Sequence, residues 1–131
     1  MKQNFKNIAG WTAQITVAAI FFQTLYFKFS GSEESVYIFT TLGVEPWGRF
    51  AAGAVELIAS IMLLIPRTAW MGAFISIAVI STAIVSHLTI LGLEVMDDGG
   101  LLFSLAGIVF FASLVILVLR KKPLKDLLRE M

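Results

Sequence analysis

The stretch that decides the fold is residues 8–29, IAGWTAQITVAAIFFQTLYFKF, which holds no charged residue before Lys28. A helix of this length rises about 33 Å, enough to cross a hydrocarbon core of roughly 30 Å. Lys2 and Lys6 precede the stretch, as basic residues precede the core of a secretory signal peptide. The apolar run is longer than that of a signal peptide, however, and no small-residue cleavage pattern follows it. We therefore expect an uncleaved first membrane span.

The composition of the whole chain agrees with a membrane protein. Of its 131 residues 58% are hydrophobic and 15% are charged, and its mean hydropathy is +0.87. Soluble domains have about 45–50% apolar and about 25% charged residues. The chain has no cysteine, so disulfides and thiolate metal sites are excluded. No basic run alternates with aromatic residues, so we expect no nucleic-acid partner.

Three further apolar runs follow the first, at about residues 47–65, 68–91 and 99–119. Pro46 suits the first turn of a helix, and Pro66-Arg67 predicts a tight turn between the second and third runs. The sequence therefore predicts an all-α fold, a four-helix bundle integral to the membrane. It forms a single domain over residues 1–131, with a basic tail at 120–131.

The charges fall unequally on the two sides that four spans would define. One side holds eight basic residues: Lys2, Lys6, Arg67, Arg120, Lys121, Lys122, Lys125 and Arg129. The other side holds only Lys28 and Arg49, together with six acidic residues: Glu33, Glu34, Glu45, Glu94, Asp97 and Asp98. Because basic residues accumulate on the cytoplasmic side of membrane proteins, we expect both termini to be cytoplasmic.

Two short segments are predicted to lie along the membrane surface. Residues 30–42 open with Ser30-Gly31-Ser32-Glu33, a pattern typical of a capping box, and end before Gly43. The apolar residues of this segment, Val36, Phe39 and Leu42, predict a short interfacial helix between spans one and two. In the tail, Leu124, Leu127, Leu128 and Met131 would form one apolar face beneath a basic collar.

Each predicted span has a stripe of small or polar residues at helical spacing, which favours close packing of membrane helices. The first three stripes are Thr12-Thr16-Ala19-Gln23-Tyr26, Arg49-Ala52-Glu56-Ala59 and Ala69-Ala73-Ser76-Ile80-Ala83-His87. The fourth is Gly100-Ser104-Gly107, and Gln14 is a further polar residue of the first span. Three of these stripes carry a polar group toward the outer side of the membrane.

We expect these polar groups to form a pocket that opens outward. Its lining would be Gln23, Tyr26, Lys28, Arg49, Glu56 and His87. Glu56 lies about 13 Å below the start of its span, where an unpaired carboxylate is prohibitively costly. We expect Arg49 to be its charge partner. A structural reading competes: a permanent pair of Glu56 with Arg49 or Lys28 fixing the packing, with Gln23 and His87 serving as interhelical hydrogen-bonding groups.

The known chemical motifs give little support to autonomous catalysis. One histidine and no cysteine do not make a usual metal site, although Glu56 and His87 could supply two ligands. A di-haem bundle requires more axial histidines than the chain has. Hydrolase signatures, phosphate-binding glycine loops and dinucleotide-binding patterns are absent from the sequence.

Several motifs together resemble the DoxX-like family of bacterial membrane proteins. They are FQTLYFKFSG at 22–31, LGVEPWGR at 42–49, the G-x-x-E pattern at 53–56, SHLTILG at 86–92 and DGG at 98–100. The resemblance covers nearly the whole chain and implies a four-helix fold in the bacterial inner membrane. It directs attention to Lys28, Arg49, Glu56, His87 and Asp98 as residues to test.

The resemblance does not fix a reaction, since relatives in that family include oxidoreductase subunits, stress-associated proteins and chaperones. The leading hypothesis is an accessory or binding subunit whose pocket takes a small amphipathic or quinone-like molecule, or a lipid, in redox or stress functions. One alternative is a subunit of a quinone-linked oxidoreductase whose redox cofactor belongs to another chain. Another is an assembly factor or chaperone without a small ligand. Expected partners are the lipid bilayer and either a membrane protein or further copies of the chain.

Overall fold

A computed structural model describes residues 2–120, with side chains from residue 4 onward. Within this range the regular structure is entirely helical, with no strand. The α-helices are α1 (Lys2–Ser30), α2 (Glu33–Thr41), α3 (Trp47–Leu64), α4 (Ala69–Ser86) and α5 (Leu101–Arg120). A 3₁₀ turn, Pro66–Thr68, joins α3 to α4, and a π-helical turn, His87–Leu91, extends α4. The predicted all-α four-helix architecture is confirmed.

The predicted spans agree with the helices except at two starting points. The first helix begins at Lys2 rather than near residue 8, since nothing in the polar segment before the apolar run breaks a helix. The last helix begins at Leu101 rather than Gly99. Gly99 and Gly100 have φ angles of +68° and +82°, a left-handed conformation that no α-helix contains. The predicted tail at 121–131, with its apolar face, lies outside the described residues.

The predicted short helix between the first two spans is present, but its N-terminal cap is Ser32 rather than Ser30. Ser30 is the last residue of α1, and the side chain of Ser32 accepts a hydrogen bond of 3.2 Å from the Ser35 amide. Gly43, at φ +79°, follows the helix as predicted. Helix α2 contacts α1, α3 and the π-helical turn, so it lies across one end of the bundle.

The four long helices pack in the cyclic order α1, α3, α4, α5, each helix against its two neighbours. Apolar side chains from all four helices fill the centre, with Val17, Leu63, Ala73 and Val109 fully buried. The helices define two ends. The end that holds α2 and residues 92–100 is called the loop end, and the end where residues near Lys2 and Arg120 meet is called the termini end.

The predicted packing faces are correct for two helices and wrong for the other two. In α3 and α4 the buried residues include Arg49, Glu56, Ala73 and Ser76, as the stripes predicted. In α1 the predicted stripe faces outward: Thr12, Ala19, Gln23 and Tyr26 are exposed, and the packed residues are Ala13, Gln14, Val17, Ala18, Phe21 and Leu25. In α5 the packed residues are Ala106, Val109, Ser113 and Ile116, whereas Ser104 is exposed.

Helices α3 and α4 form the predicted antiparallel hairpin. They approach most closely at Gly72, where a Cβ atom would lie 2.9 Å from the Ala59 carbonyl oxygen and from the Leu63 nitrogen. The Thr68 hydroxyl donates at 2.9 Å to the Met62 carbonyl near the end of α3, which also accepts from the Ile65 amide at 3.3 Å. This hairpin holds α3, the helix that carries Glu56, in a fixed position.

Candidate functional site

The candidate site is a buried ion pair that joins α1 to α3. The Lys28 ammonium lies 3.0 Å from Oε1 and 3.3 Å from Oε2 of Glu56, and the two side chains are only 16% and 7% exposed. The Thr24 hydroxyl donates to Oε2 at 2.9 Å. Helical side chains lean toward the start of their own helix. Because α1 and α3 are antiparallel, the Lys28 side chain leans inward, the Glu56 side chain leans toward the loop end, and the two meet.

Arg49 is not the partner of Glu56, so the expected Arg49–Glu56 pair is wrong. The Nε and Nη2 atoms of Arg49 each lie 2.9 Å from Oε1 of Glu45, the residue one turn earlier. Its Nη1 donates to the backbone carbonyl of Lys28. That carbonyl belongs to the last turn of α1, where acceptors have no partner within the helix. Arg49 therefore holds the end of α1 against α3, and the alternative pair, Glu56 with Lys28, is the one observed.

His87 is buried, 5% exposed, at the start of the π-helical turn. Its Nδ1 lies 3.0 Å from the Gly92 carbonyl oxygen, and its ring meets Phe103 edge to face with centroids 5.7 Å apart. A carbonyl oxygen can only accept, so Nδ1 is the donor in this contact. The observed contacts of His87 close the loop after α4 and do not include Glu56.

Asp98, which the resemblance singled out, organises the loop before α5. Its carboxylate accepts from the amides of Val95 at 3.1 Å, Gly100 at 2.8 Å and Leu102 at 3.1 Å. Burial alone would raise its pKa, but these amide hydrogen bonds outweigh burial and hold the pKa of Asp98 below its ordinary value. Asp98 thus acts as the cap of α5.

The pKa of Glu34, on α2, depends in part on the same loop. Burial, and secondarily the negative charge of Asp98, raise the pKa of the Glu34 carboxyl above its ordinary value. This coupling between α2 and the 92–100 loop was not visible from the sequence, because the two segments are more than fifty residues apart.

Gln23 and Tyr26 do not line the expected pocket. Both are exposed on the outer surface of α1, with Tyr26 71% exposed and its ring packed edge to face against the neighbouring Phe27. Of the predicted site residues, Lys28, Arg49 and Glu56 come together, joined by Thr24 and Glu45, which sequence reasoning missed. Thr24 could have been found from its spacing, since it lies one helical turn before Lys28.

A second polar cluster lies at the termini end and was not predicted. Gln14 is fully buried; its Nε2 donates to the Leu63 carbonyl at 2.7 Å and its Oε1 accepts from Arg120 Nε at 2.8 Å. Arg120 also donates to the backbone and side-chain oxygens of Asn7, each at 3.2 Å. The signal in the sequence was Gln14 itself, a polar residue within an apolar run. Its partner Arg120 is separated from it by more than one hundred residues.

The arrangement at Glu56 combines hydrogen-bond donors and an acceptor. It offers one acceptor carboxylate, one ammonium donor and one hydroxyl donor within a short distance of each other. Over residues 2–120, no group of three His, Cys, Asp or Glu side chains is placed to hold a metal ion.

The fold and its polar interior define a class of protein. In the described part of the chain, four helices are long and apolar enough to cross a membrane: Asn4–Ser30, Trp47–Leu64, Pro66–Leu91 and Leu101–Arg120. The chain is a multi-pass membrane protein built as a four-helix bundle. Comparison with protein-family models, with curated proteins and with solved structures finds no match for it.

Proposed function

We propose that this chain is an accessory membrane protein that binds a small amphipathic, quinone-like molecule at the loop end, with Glu56 as the central binding group. The observation that carries the proposal is the Lys28–Glu56 ion pair inside the spanning helices. Charged residues at such a depth are costly and mark ligand or proton sites more often than simple packing.

The cost of the pair argues against a purely structural role. A buried ion pair loses the hydration of both charges, and well-packed apolar residues in the same place are often as stabilising or more so. The α1–α3 contact already has Arg49, which ties Glu45 to the end of α1. A second charged tie adds little to the position of the helices, whereas it supplies a carboxylate and an ammonium where a ligand could exchange for either.

The surroundings of the pair fit a molecule with a polar head and an apolar body. The Lys28 ammonium and the Thr24 hydroxyl can donate to a carbonyl oxygen, and the Glu56 carboxylate can accept from a hydroxyl. Phe29 and Phe50, each 45% exposed, stack at 6.4 Å on the outside of the same end. A Cβ atom at Gly53 would lie 2.9 Å from the Phe29 ring, so this ring covers α3 about one turn from Glu56. An aromatic surface beside a polar pair suits a quinone ring that enters from the lipid.

The setting of this function is also part of the proposal. The charge distribution favours a loop end on the outer side of the membrane and both termini in the cytoplasm. The resemblance to the DoxX-like family adds the bacterial inner membrane and a link to redox or stress functions. A quinone-linked oxidoreductase would need its redox cofactor on a partner chain, and an assembly factor would need a stoichiometric protein partner.

Binding of decylubiquinone to the purified full chain tests the proposal. Glu56→Gln removes the charge and keeps the shape, whereas Glu45→Gln breaks the neighbouring ion pair at the same end and serves as the matched control. Loss of one charged hydrogen bond should lower the affinity of Glu56→Gln about tenfold or more, and Glu45→Gln should bind within about threefold of the unaltered chain. Equal binding of decylubiquinone by the unaltered chain, Glu56→Gln and Glu45→Gln would overturn the proposal. A stoichiometric protein that co-purifies in place of a quinone would favour the assembly factor.

A further inference from the structure

The side of α1 that faces away from the bundle carries small and polar side chains at regular spacing. Thr12, Ala19, Gln23 and Tyr26 are exposed there. Steps of seven, four and three residues place them along one side of the helix, which is here called the α1 outer face. Such spacing is typical of a surface on which another membrane helix packs. The bundle leaves this face uncovered, since the core residues of α1 lie on the opposite side of the helix.

Gln23 is the residue of the α1 outer face that lacks a hydrogen-bonding partner. Its side-chain amide has two donor hydrogens and one acceptor oxygen, and none of the described residues bonds to it. By contrast, Gln14 in the same helix has both ends of its amide bonded. The hydroxyls of Thr12 and Thr16 donate to carbonyls of their own helix at 2.8 and 2.7 Å. Gln23 is therefore an unsatisfied amide on an exposed face.

The position of Gln23 along α1 lies within the hydrocarbon of the membrane. The candidate span is Asn4–Ser30, and Gln23 follows its middle residue, Val17, by about 9 Å. The hydrocarbon core extends about 15 Å to either side of its middle. Lipid chains offer neither donors nor acceptors at this depth, so an amide without a partner is costly there. This cost favours a protein surface over lipid as the cover of the α1 outer face.

We propose that the α1 outer face is the interface of a homodimer in which two copies, inserted in the same direction, pair their Gln23 amides. In a two-fold symmetric dimer, a residue near the axis meets the same residue of the other copy. An amide is self-complementary, because each Gln23 can donate to the oxygen of the partner's Gln23 and accept from its nitrogen. A second copy always presents this amide at the matching depth, whereas an unrelated protein does so only if it has a polar residue there.

The charges of α1 do not oppose this contact. The span Asn4–Ser30 contains two charged residues, Lys6 and Lys28. Lys28 faces the bundle and pairs with Glu56, so the interface is independent of the proposed function. Lys6 precedes Thr12 by six residues, which at about 100° per residue places it about 120° around the helix from Thr12. Two copies can therefore approach through the α1 outer face without bringing these lysines together.

Equilibrium sedimentation of the purified full chain in density-matched detergent micelles measures the association. Gln23→Leu keeps a side chain of similar size and removes the amide pair, so it should weaken the dimer about tenfold. Thr82→Val, an exposed polar-to-apolar change on α4, is the matched control and should leave the association unchanged. Because Gln23 is exposed, Gln23→Leu should keep the circular dichroism of the unaltered chain.

Disulfide cross-linking locates the interface in phosphatidylcholine vesicles, since the chain has no cysteine of its own. Two cysteines are bridged when their Cα atoms lie about 4.4–6.8 Å apart. Ala19→Cys, on the α1 outer face, should give a cross-linked dimer after oxidation with copper phenanthroline. Phe111→Cys, at a 68% exposed position near the middle of α5, should remain monomeric under the same conditions.

The outcomes separate a second copy from other occupants of the α1 outer face. A monomer at every ratio of protein to detergent would overturn the proposal, and so would equal association of Gln23→Leu and the unaltered chain. Equal cross-linking of Ala19→Cys and Phe111→Cys would show random collision and contradict the interface. A different membrane protein that co-purifies with the unaltered chain and is lost from Gln23→Leu would assign the face to that partner instead.

Discussion

The loop end and the termini end of this bundle both bury polar side chains within apolar helices, but they satisfy them differently. At the termini end Gln14, a neutral amide, donates to the Leu63 carbonyl and accepts from Arg120. At the loop end Glu56, a carboxylate, depends on the Lys28 ammonium and the Thr24 hydroxyl. The first arrangement satisfies the Leu63 carbonyl, an acceptor in the last turn of α3. The second brings opposite charges into a place where neither is required by the backbone.

The difference separates a polar cluster that completes the helix packing from an ion pair whose charges the packing does not require. Replacing a neutral amide removes hydrogen bonds that are worth little more inside a membrane than in water. Breaking one side of a buried ion pair leaves an uncompensated charge, which is far more costly. The comparison therefore predicts a graded series of effects, with the largest at the loop end.

The largest effect is expected for Lys28→Met. It leaves the Glu56 carboxylate, 7% exposed, without its counter-charge, and should lower the free energy of unfolding by about 3–5 kcal/mol. The double change Lys28→Met with Glu56→Leu removes both charges and should recover most of that loss. Together with the single variant Glu56→Leu and the unaltered chain, these variants form a double-mutant cycle. The free energy of unfolding of each is measured in mixed detergent micelles by circular dichroism. If the two single losses simply add in the double variant, the pair does not behave as a buried, coupled unit.

The next effect concerns the α3–α4 hairpin, which supplies the Leu63 carbonyl that Gln14 binds. Gly72→Ala places a Cβ atom 2.9 Å from backbone atoms of Ala59 and Leu63, so the helices must separate, at a cost of about 1–3 kcal/mol. Gly107→Ala is the matched control, since nothing lies within 4 Å of its Cβ position. It should be neutral or stabilise the chain by up to about 1 kcal/mol through helix propensity. The same unfolding assay measures both variants. Similar effects of Gly72→Ala and Gly107→Ala would contradict the close approach of α3 and α4 at Gly72.

A smaller loss is expected for Gln14→Leu. The leucine fills the space but cannot bond the Leu63 carbonyl or Arg120, and the expected cost is about 1–2 kcal/mol. This value should be clearly below that of Lys28→Met in the same micelles. A cost equal to or above that of Lys28→Met would show that the larger stability effect lies at the termini end and not at the loop end.

Much of the fold could be predicted from the sequence, because hydrophobic length and charge asymmetry act locally. The boundaries of the second and third spans, the hairpin at Pro66 and the short helix before Gly43 all follow from residues that are neighbours in the chain. The packing faces of α1 and α5 could not be predicted in this way. Within a membrane span nearly every face is apolar, so the position of Phe21 or Ile116 in the core depends on which helices are adjacent.

The partners of the site residues likewise depend on which helices are adjacent, so the sequence alone does not determine them. The depth of Glu56 identified it as the residue that needs a partner, and the stripe on α3 placed it inside. The choice between Arg49 and Lys28 depended on the register between α1 and α3, which helical spacing on one element cannot give. The coupling of Gln14 to Arg120 required the topology of the whole bundle.

The smallest effect is a titration shift at the loop end. Asp98→Asn removes the negative charge near Glu34, so the pKa of Glu34 should fall, but it should stay above its ordinary value because burial is the larger cause. In the unaltered chain, the lowered pKa of Asp98 stabilises the fold above its ordinary pKa, and this stability is lost as the pH falls through the lowered value. The raised pKa of Glu34 has the opposite sign: its contribution is lost as the pH rises through the raised value. Carbon-13 NMR of the labelled Glu34 carboxyl follows the shift, and an unchanged pKa in Asp98→Asn would refute the coupling.

A variant without either charge of the Lys28–Glu56 pair distinguishes folding of the loop end from quinone binding there. Lys28→Met with Glu56→Leu keeps the space filled and removes both charges, so the chain should remain folded by circular dichroism. Binding of decylubiquinone to this variant is then compared with binding to Gln14→Leu, which alters the termini end alone. The double variant is expected to be folded but to lose quinone binding, while Gln14→Leu retains it. Full quinone binding by the folded double variant would show that the Lys28–Glu56 pair is not the binding site.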